Sequence, residues 1–149
     1  MDHERRCEGG SDRLPLAHPE VRRSEGGIPL CSGRSADQMM AVAERVGAVP
    51  YDIPGVELGH VEGRCSFESI MVRYGLTEDP GLVELARIVH AADVDEDIDS
   101  SPEGRGLQAI AKGFSLLHGR DDHRKIALES PMYDALYAFC LERAKRKAA

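Results

Sequence analysis

From Ser35 onward, apolar residues return every third or fourth position in segments bounded by helix start and stop signals, and no sustained strand alternation competes with them. That pattern confines the chain to packed helices. Ser35-Ala-Asp-Gln38 reads as a capping box ahead of Met39, Met40, Val42, Ala43 and Val46, and Gly47 closes the segment, so a first helix is predicted over about 36–46. In Ala48–Val61, Pro50, Pro54, Gly55 and Gly59 punctuate β-prone pieces around Val49, Tyr51, Ile53, Val56 and Leu58, which predicts short extended segments and turns near 48–61. Phe67, Ile70, Met71 and Tyr74 mark a second helix that stops at Gly75, and Pro80 opens a third with Leu82, Leu85, Ala86 and Val89 inward. After the acidic run 93–99, Pro102 starts a fourth helix with Leu107, Ile110, Ala111, Phe114 and Leu117 on one face, ended by Gly119. Asp121 or Asp122 caps a short helix to about Ser130, and Ser130-Pro131 opens a last one with Met132, Leu136, Phe139 and Arg143 on one face. Its basic end, 143–147, reads as a solvated terminus at the negative pole of the helix dipole. The expected fold is a mainly α single helical domain of about five helices.

A chain of 149 residues supports one core, and 42% hydrophobic with 30% charged residues describes an ordinary globule. No apolar run approaches the roughly 18 residues of a membrane span, and no apolar stretch follows the charged start at 1–6, so a cytoplasmic location and no membrane partner are expected. Residues 1–34 hold six Arg against six acidic side chains, so the whole net charge of −7 falls on 35–149. An acidic body with no helix-turn-helix ahead of it disfavours direct DNA binding. Residues 1–34 also lack Phe, Tyr, Trp and Lys and contain eight Gly and Pro, which predicts an irregular leader with little to bury. Cys7, Cys31, Cys65 and Cys140 form no CxxC pair, so neither a zinc ribbon nor a disulfide scaffold is indicated.

Reactive side chains concentrate in Gly59-His60-Val-Glu-Gly-Arg64-Cys65-Ser-Phe-Glu68 and in Val89-His90-Ala-Ala-Asp93. Cys65 falls at a helix N-terminus, where amide N–H groups and the dipole lower a thiol pKa; that makes it a candidate catalytic thiolate, or else a buried small hydrophobe. Glu68, three residues on, shares that face or serves as the N3 partner of a capping box. His90 and Asp93 stand three apart, a spacing that lets both reach one ion or one proton, although a histidine late in a helix also answers the dipole. His60, on a glycine-bounded turn, has fewer packing reasons to exist. His60, Glu68, His90 and Asp93 form a plausible N/O ligand set for a divalent metal ion as cofactor, with Cys65 adding softness. Calcium is rejected, because Ile98 and Gly104 stand where an EF-hand loop needs Gly and Glu.

The blocks MAVAERVGAVPYDIPGVELGHVEGRCSFESIMVRYGL, DPGLVELARIVHAADVD, PEGRGLQAIAKGFSLLHGRDDH and MYDALYAFC, from about Ala36 to Cys140, resemble the C-terminal domain of the ChrB-type chromate resistance proteins. The resemblance implies a chromate-sensing or accessory role in chromate resistance, with chromate or a similar oxyanion as partner. The alternatives are a small metal- or thiol-dependent enzyme acting on such an oxyanion and an inactive copy. The family's characteristic positions fall on His60, Cys65, Glu68 and Asp93, and in some members on His90. Chromate is a tetrahedral dianion, so receiving it calls for cations such as Arg64 and Arg87. Gly10–Ser35 departs from the family's opening segment, similar to DRIACPWLIRRFVDPRAEFLYVPAD. Codons CTG CCC CTG GCT CAT CCG GAG for Leu14–Glu20 spell Cys-Pro-Trp-Leu-Ile-Arg one base out of frame, which points to a frameshifted stretch at 1–34. The nucleotide sequence decides this.

Overall fold

The computed structural model describes residues 35–149; the irregular leader and the frameshifted stretch expected over 1–34 lie outside the described residues. Five α-helices carry the described part: α1 Ala36–Val46, α2 Ser66–Arg73, α3 Pro80–Asp93, α4 Gly104–His118 and α5 Asp122–Ala148. A 3-10 turn at Asp95–Asp97 follows α3. Among the described residues there is no strand, and the extended pieces expected near 48–61 amount to isolated bridges, Tyr51 with Leu58 and Val61 with Arg64. No described helix is long and apolar enough to cross a membrane.

α3 organises the rest. Asp79 caps it, its Oδ1 accepting from the N–H groups of Gly81 (2.8 Å) and Leu82 (3.0 Å), and Pro80 supplies a preset first residue. Eight of its 14 residues are buried, and Leu85 and Ile88 are fully inaccessible. It packs against α2, α4 and α5. Phe67, Ile70 and Met71 from α2, Leu107 from α4, and Tyr133 and Cys140 from α5 complete the core around it. α1 has the expected capping box but buries only Val42 and makes no contact with the other four helices.

Three expectations need correction. The apolar stripe of α4 is not a buried face: Gly104 and Leu107 are buried, whereas Ile110 and Leu117 are exposed. Burial is confined to the start of the helix, where it meets α3 so closely that a Cβ on Gly104 would come within 2.7 Å of Ala91 Cβ. The two helices expected either side of Ser130-Pro131 are one continuous α5. Pro131 faces solvent and Ser130 Oγ donates to the Ile126 carbonyl at 2.7 Å, while Glu129, Tyr133 and Cys140 keep a buried face on both sides of the proline. Packing therefore carries the helix through a residue that alone would end it. The basic end of α5 is in part a clamp: Lys147 Nζ reaches Glu84 Oε1 at 2.7 Å, and Arg143 reaches Glu84 Oε2 at 3.2 Å and Glu103 Oε1 at 2.6 Å. The Lys147 hydrogen bond, opposed by burial, holds the Glu84 carboxyl below its usual range.

The α3–α4 crossing gives a test. Gly104→Ala should lower the unfolding free energy by about 1–3 kcal/mol through overpacking against Ala91. Gly106→Ala, with open space around it, should be neutral or stabilising, by up to about 1 kcal/mol. Urea midpoints of the two variants compare them directly.

Candidate functional site

A tight hairpin brings the first reactive segment together. Val61 and Arg64 exchange backbone hydrogen bonds of 3.2 and 3.0 Å, and Glu62 (φ 53°) and Gly63 (φ 79°) take the paired left-handed conformations of a two-residue type I′ turn. Asp52, at φ 54°, is left-handed as well. Ser66 Oγ donates to Asp52 Oδ1 at 2.7 Å and Ser69 Oγ to the Gly59 carbonyl at 2.8 Å, which ties the start of α2 to the segment before the turn. Cys65 is the N-cap of α2 and is fully buried; its N–H donates to Glu68 Oε2 at 2.8 Å. Glu68 is thus the N3 capping partner, and its side chain faces α3 as well.

From α3, His90 meets that carboxylate: Nδ1 lies 2.7 Å from Glu68 Oε2. The other ring nitrogen, Nε2, lies 2.9 Å from Asp97 Oδ2 in the 3-10 turn. Ligand atoms of Cys65, Glu68 and His90 all fall within 4.8 Å of one another. His60 and Asp93 form a neighbouring pair, Nε2 to Oδ2 at 3.0 Å, with Asp52 Oδ1 at 3.8 Å from the same nitrogen. His60 stands at a cleft between the 52–60 segment and α4, with Asp93 buried behind it. The structure therefore brings three of the five sequence candidates to one point and holds two beside it. Arg64 turns to Glu62 at 3.0 Å, and Arg87 to Glu84 at 2.9 Å in the α5 clamp. These salt-bridge partners lie outside the cluster. The sequence places Asp97 only in the acidic run rejected as a calcium loop and does not point to Asp52; the acidic run that begins three residues after His90 is the signal for Asp97, whereas Asp52 is recruited only by tertiary folding.

The electrostatics reverse one expectation. Burial, reinforced by the charges of Glu68 and Asp93, pushes the Cys65 thiol up to about 12 rather than down. A backbone hydrogen bond at the helix start does lower it, but the favourable end of the helix is shared with the Glu68 carboxylate, and desolvation wins. His90 moves the other way. Burial pulls its pKa down, and the hydrogen bonds and charges of Asp97 and Glu68 outweigh that, so the net shift is upward.

Over residues 34–140 the sequence matches the family described as ChrB, C-terminal domain. The chain belongs to this family. A stretch of 68 residues is 34% identical to Protein ChrB of Cupriavidus metallidurans strain CH34, covering 44% of this chain and 20% of that protein. The matched segment thus spans about one fifth of that ChrB protein's length. No solved structure matches. All the side chains of the cluster, Asp97 included, lie within the stretch that matches the ChrB C-terminal domain.

Two measurements check the electrostatics of this ChrB domain. In a Cys7→Ser/Cys31→Ser chain, a thiol reagent at about pH 8 should label neither Cys65 nor Cys140, whose thiol burial raises to about 11, until denaturant is added. For His90, a raised folded pKa means stabilisation that is complete below the unfolded value of 6.5 and is lost as pH rises through the folded one. His90→Gln should therefore cost most stability below pH 6.5, with the gap to the natural chain narrowing as pH rises above it. Urea unfolding across that range reads it.

Proposed function

We propose that this chain serves chromate resistance in an accessory or sensing capacity, acting by binding at the Cys65–Glu68–His90 cluster and not by turning chromate over. The observation that carries the reading is the convergence of a thiol, a carboxylate and an imidazole within 4.8 Å, inside the stretch matched to the ChrB C-terminal domain. A thiol that reduces or attacks an incoming oxyanion needs exposure and thiolate character. Cys65 is fully buried, and its thiol is raised to about 12. The surroundings also favour cations: the carboxylates of Asp52, Glu68, Asp93 and Asp97 lie on or beside the two imidazoles, while the guanidinium groups of Arg64 and Arg87 answer Glu62 and Glu84. Such a field repels a free dianion, so the species bound at the cluster is a cation. The free cysteines Cys65 and Cys140 suit a reducing compartment, so we take the cytoplasm as the place of action.

The rival reading is a small metal- or thiol-dependent enzyme acting on chromate or a related oxyanion. In a chromate-sensitive host lacking its own copy of the gene, the natural chain should raise tolerance and a folded Cys65→Ala/His90→Ala chain should not. The purified protein, supplied with an external thiol or nicotinamide reductant, should leave the chromate absorbance unchanged beyond the protein-free rate. Chromate consumption by the natural chain that disappears in Cys65→Ala would establish the enzyme and overturn the proposal.

A further inference from the structure

We propose that Cys65 Sγ, the Glu68 carboxylate and His90 Nδ1 form a binding site for one divalent transition-metal ion of the zinc class, with Asp97 as the outer carboxylate that orients His90. The inference rests on the reading above only in using the same cluster; it requires no chromate.

Donor chemistry selects the ion. One sulfur, one nitrogen and one oxygen suit a borderline ion such as zinc(II) or cobalt(II), whereas magnesium and calcium favour oxygen-only sets. Donors bound at about 2.0–2.3 Å to one ion sit roughly 3–4 Å apart, so three atoms already within 4.8 Å need side-chain adjustment and no movement of helices. Their backbone supports are fixed independently. Cys65 and Glu68 lie in the first turn of α2, held to the preceding loop by Ser66 and Ser69, and His90 follows the buried Ile88 and Val89 in α3.

The partners around the donors complete the argument. A metal-bound histidine commonly gives its second ring N–H to a carboxylate, which fixes the tautomer and strengthens the first nitrogen as a ligand. His90 has that arrangement: Nε2 meets Asp97 Oδ2 at 2.9 Å, and Nδ1 points to Glu68 beside Cys65. Without an ion, both ring nitrogens face carboxylates, Nδ1 at 2.7 Å from Glu68 and Nε2 at 2.9 Å from Asp97. The ion bonds to Sγ as thiolate and to the Nδ1 lone pair, the thiol proton leaves to solvent, and no electron is transferred. Three protein ligands leave a further position for water or an exchangeable small ligand, the ligand count of a responsive site and not of a closed structural one.

The test uses the full chain with Cys7→Ser and Cys31→Ser, stripped with chelator and titrated with cobalt(II). The expected result is uptake of one equivalent with a near-ultraviolet sulfur-to-cobalt charge-transfer band, proton release into a weakly buffered solution, and displacement by zinc(II). Cys65→Ser should keep its far-ultraviolet circular dichroism and lose the band. Asp97→Asn should keep the band and weaken cobalt binding by about 10–100-fold. Failure of the folded chain to take up cobalt, or a band that persists in Cys65→Ser, overturns the site; unchanged affinity in Asp97→Asn overturns the role of Asp97. Cobalt binding as described, with chromate tolerance indifferent to the chain, would remove the chromate reading and leave the metal site standing. Tolerance that depends on the chain, without cobalt uptake, would do the reverse.

Discussion

The packed body of this domain, α2, α4 and α5, is referred to α3. A helix with an apolar stripe needs one neighbour; a helix buried over most of its circumference needs several, and α3 has α2, α4 and α5. Full burial of a Leu or Ile side chain stabilises by about 1.5–3 kcal/mol, so Leu82, Leu85, Ile88 and Val89 supply a large share of what holds the helices together. The same helix leaves the core at its C-terminal end, and there it carries His90 and Asp93. The site is therefore an extension of the core, its imidazole held on a helix that packs against three others.

Cys65 shows how two familiar effects compete at a helix start. Placing a group at the positive end of the dipole is worth about 0.3–1 kcal/mol where solvent screens it. Removing a thiolate from water beside two carboxylates costs more, and the thiol stays protonated. The capping carboxylate of Glu68 takes the Cys65 N–H, so the feature that would activate a solvent-facing cysteine here supports its neighbour. A buried neutral thiol flanked by ionised groups is poorly suited to attack and well suited to wait for a cation that replaces its proton.

Much of this was legible in the sequence because it is local. The cap at Ser35, the opening proline at 80 and the stop at Gly119 act within a turn, and they mark helix ends that the structure keeps. Cys65, Glu68 and His90 could be singled out by spacing within two short segments. What stayed hidden is set by distance along the chain. Arg143 meets Glu103 across 40 residues and Lys147 meets Glu84 across 63, so a basic helix end looked solvated when it is a clamp. Pro131 carries a local signal to break a helix, and the buried face of α5 overrides it. The stripe on α4 obeys helical periodicity, yet periodicity says which residues share a face and not whether that face is covered.

The near-contact of Gly104 with Ala91 reaches past packing. Ala91 adjoins His90 in α3, and there is no room for a methyl group between the two helices at that point. Growth of either residue would pry α4 from α3 and tilt the imidazole without touching it. Natural variation should treat the two positions as one unit, small beside small, so that drift at 91 is tolerated only while 104 remains glycine. The freedom of the cluster to evolve is thus limited by a residue with no side chain at all.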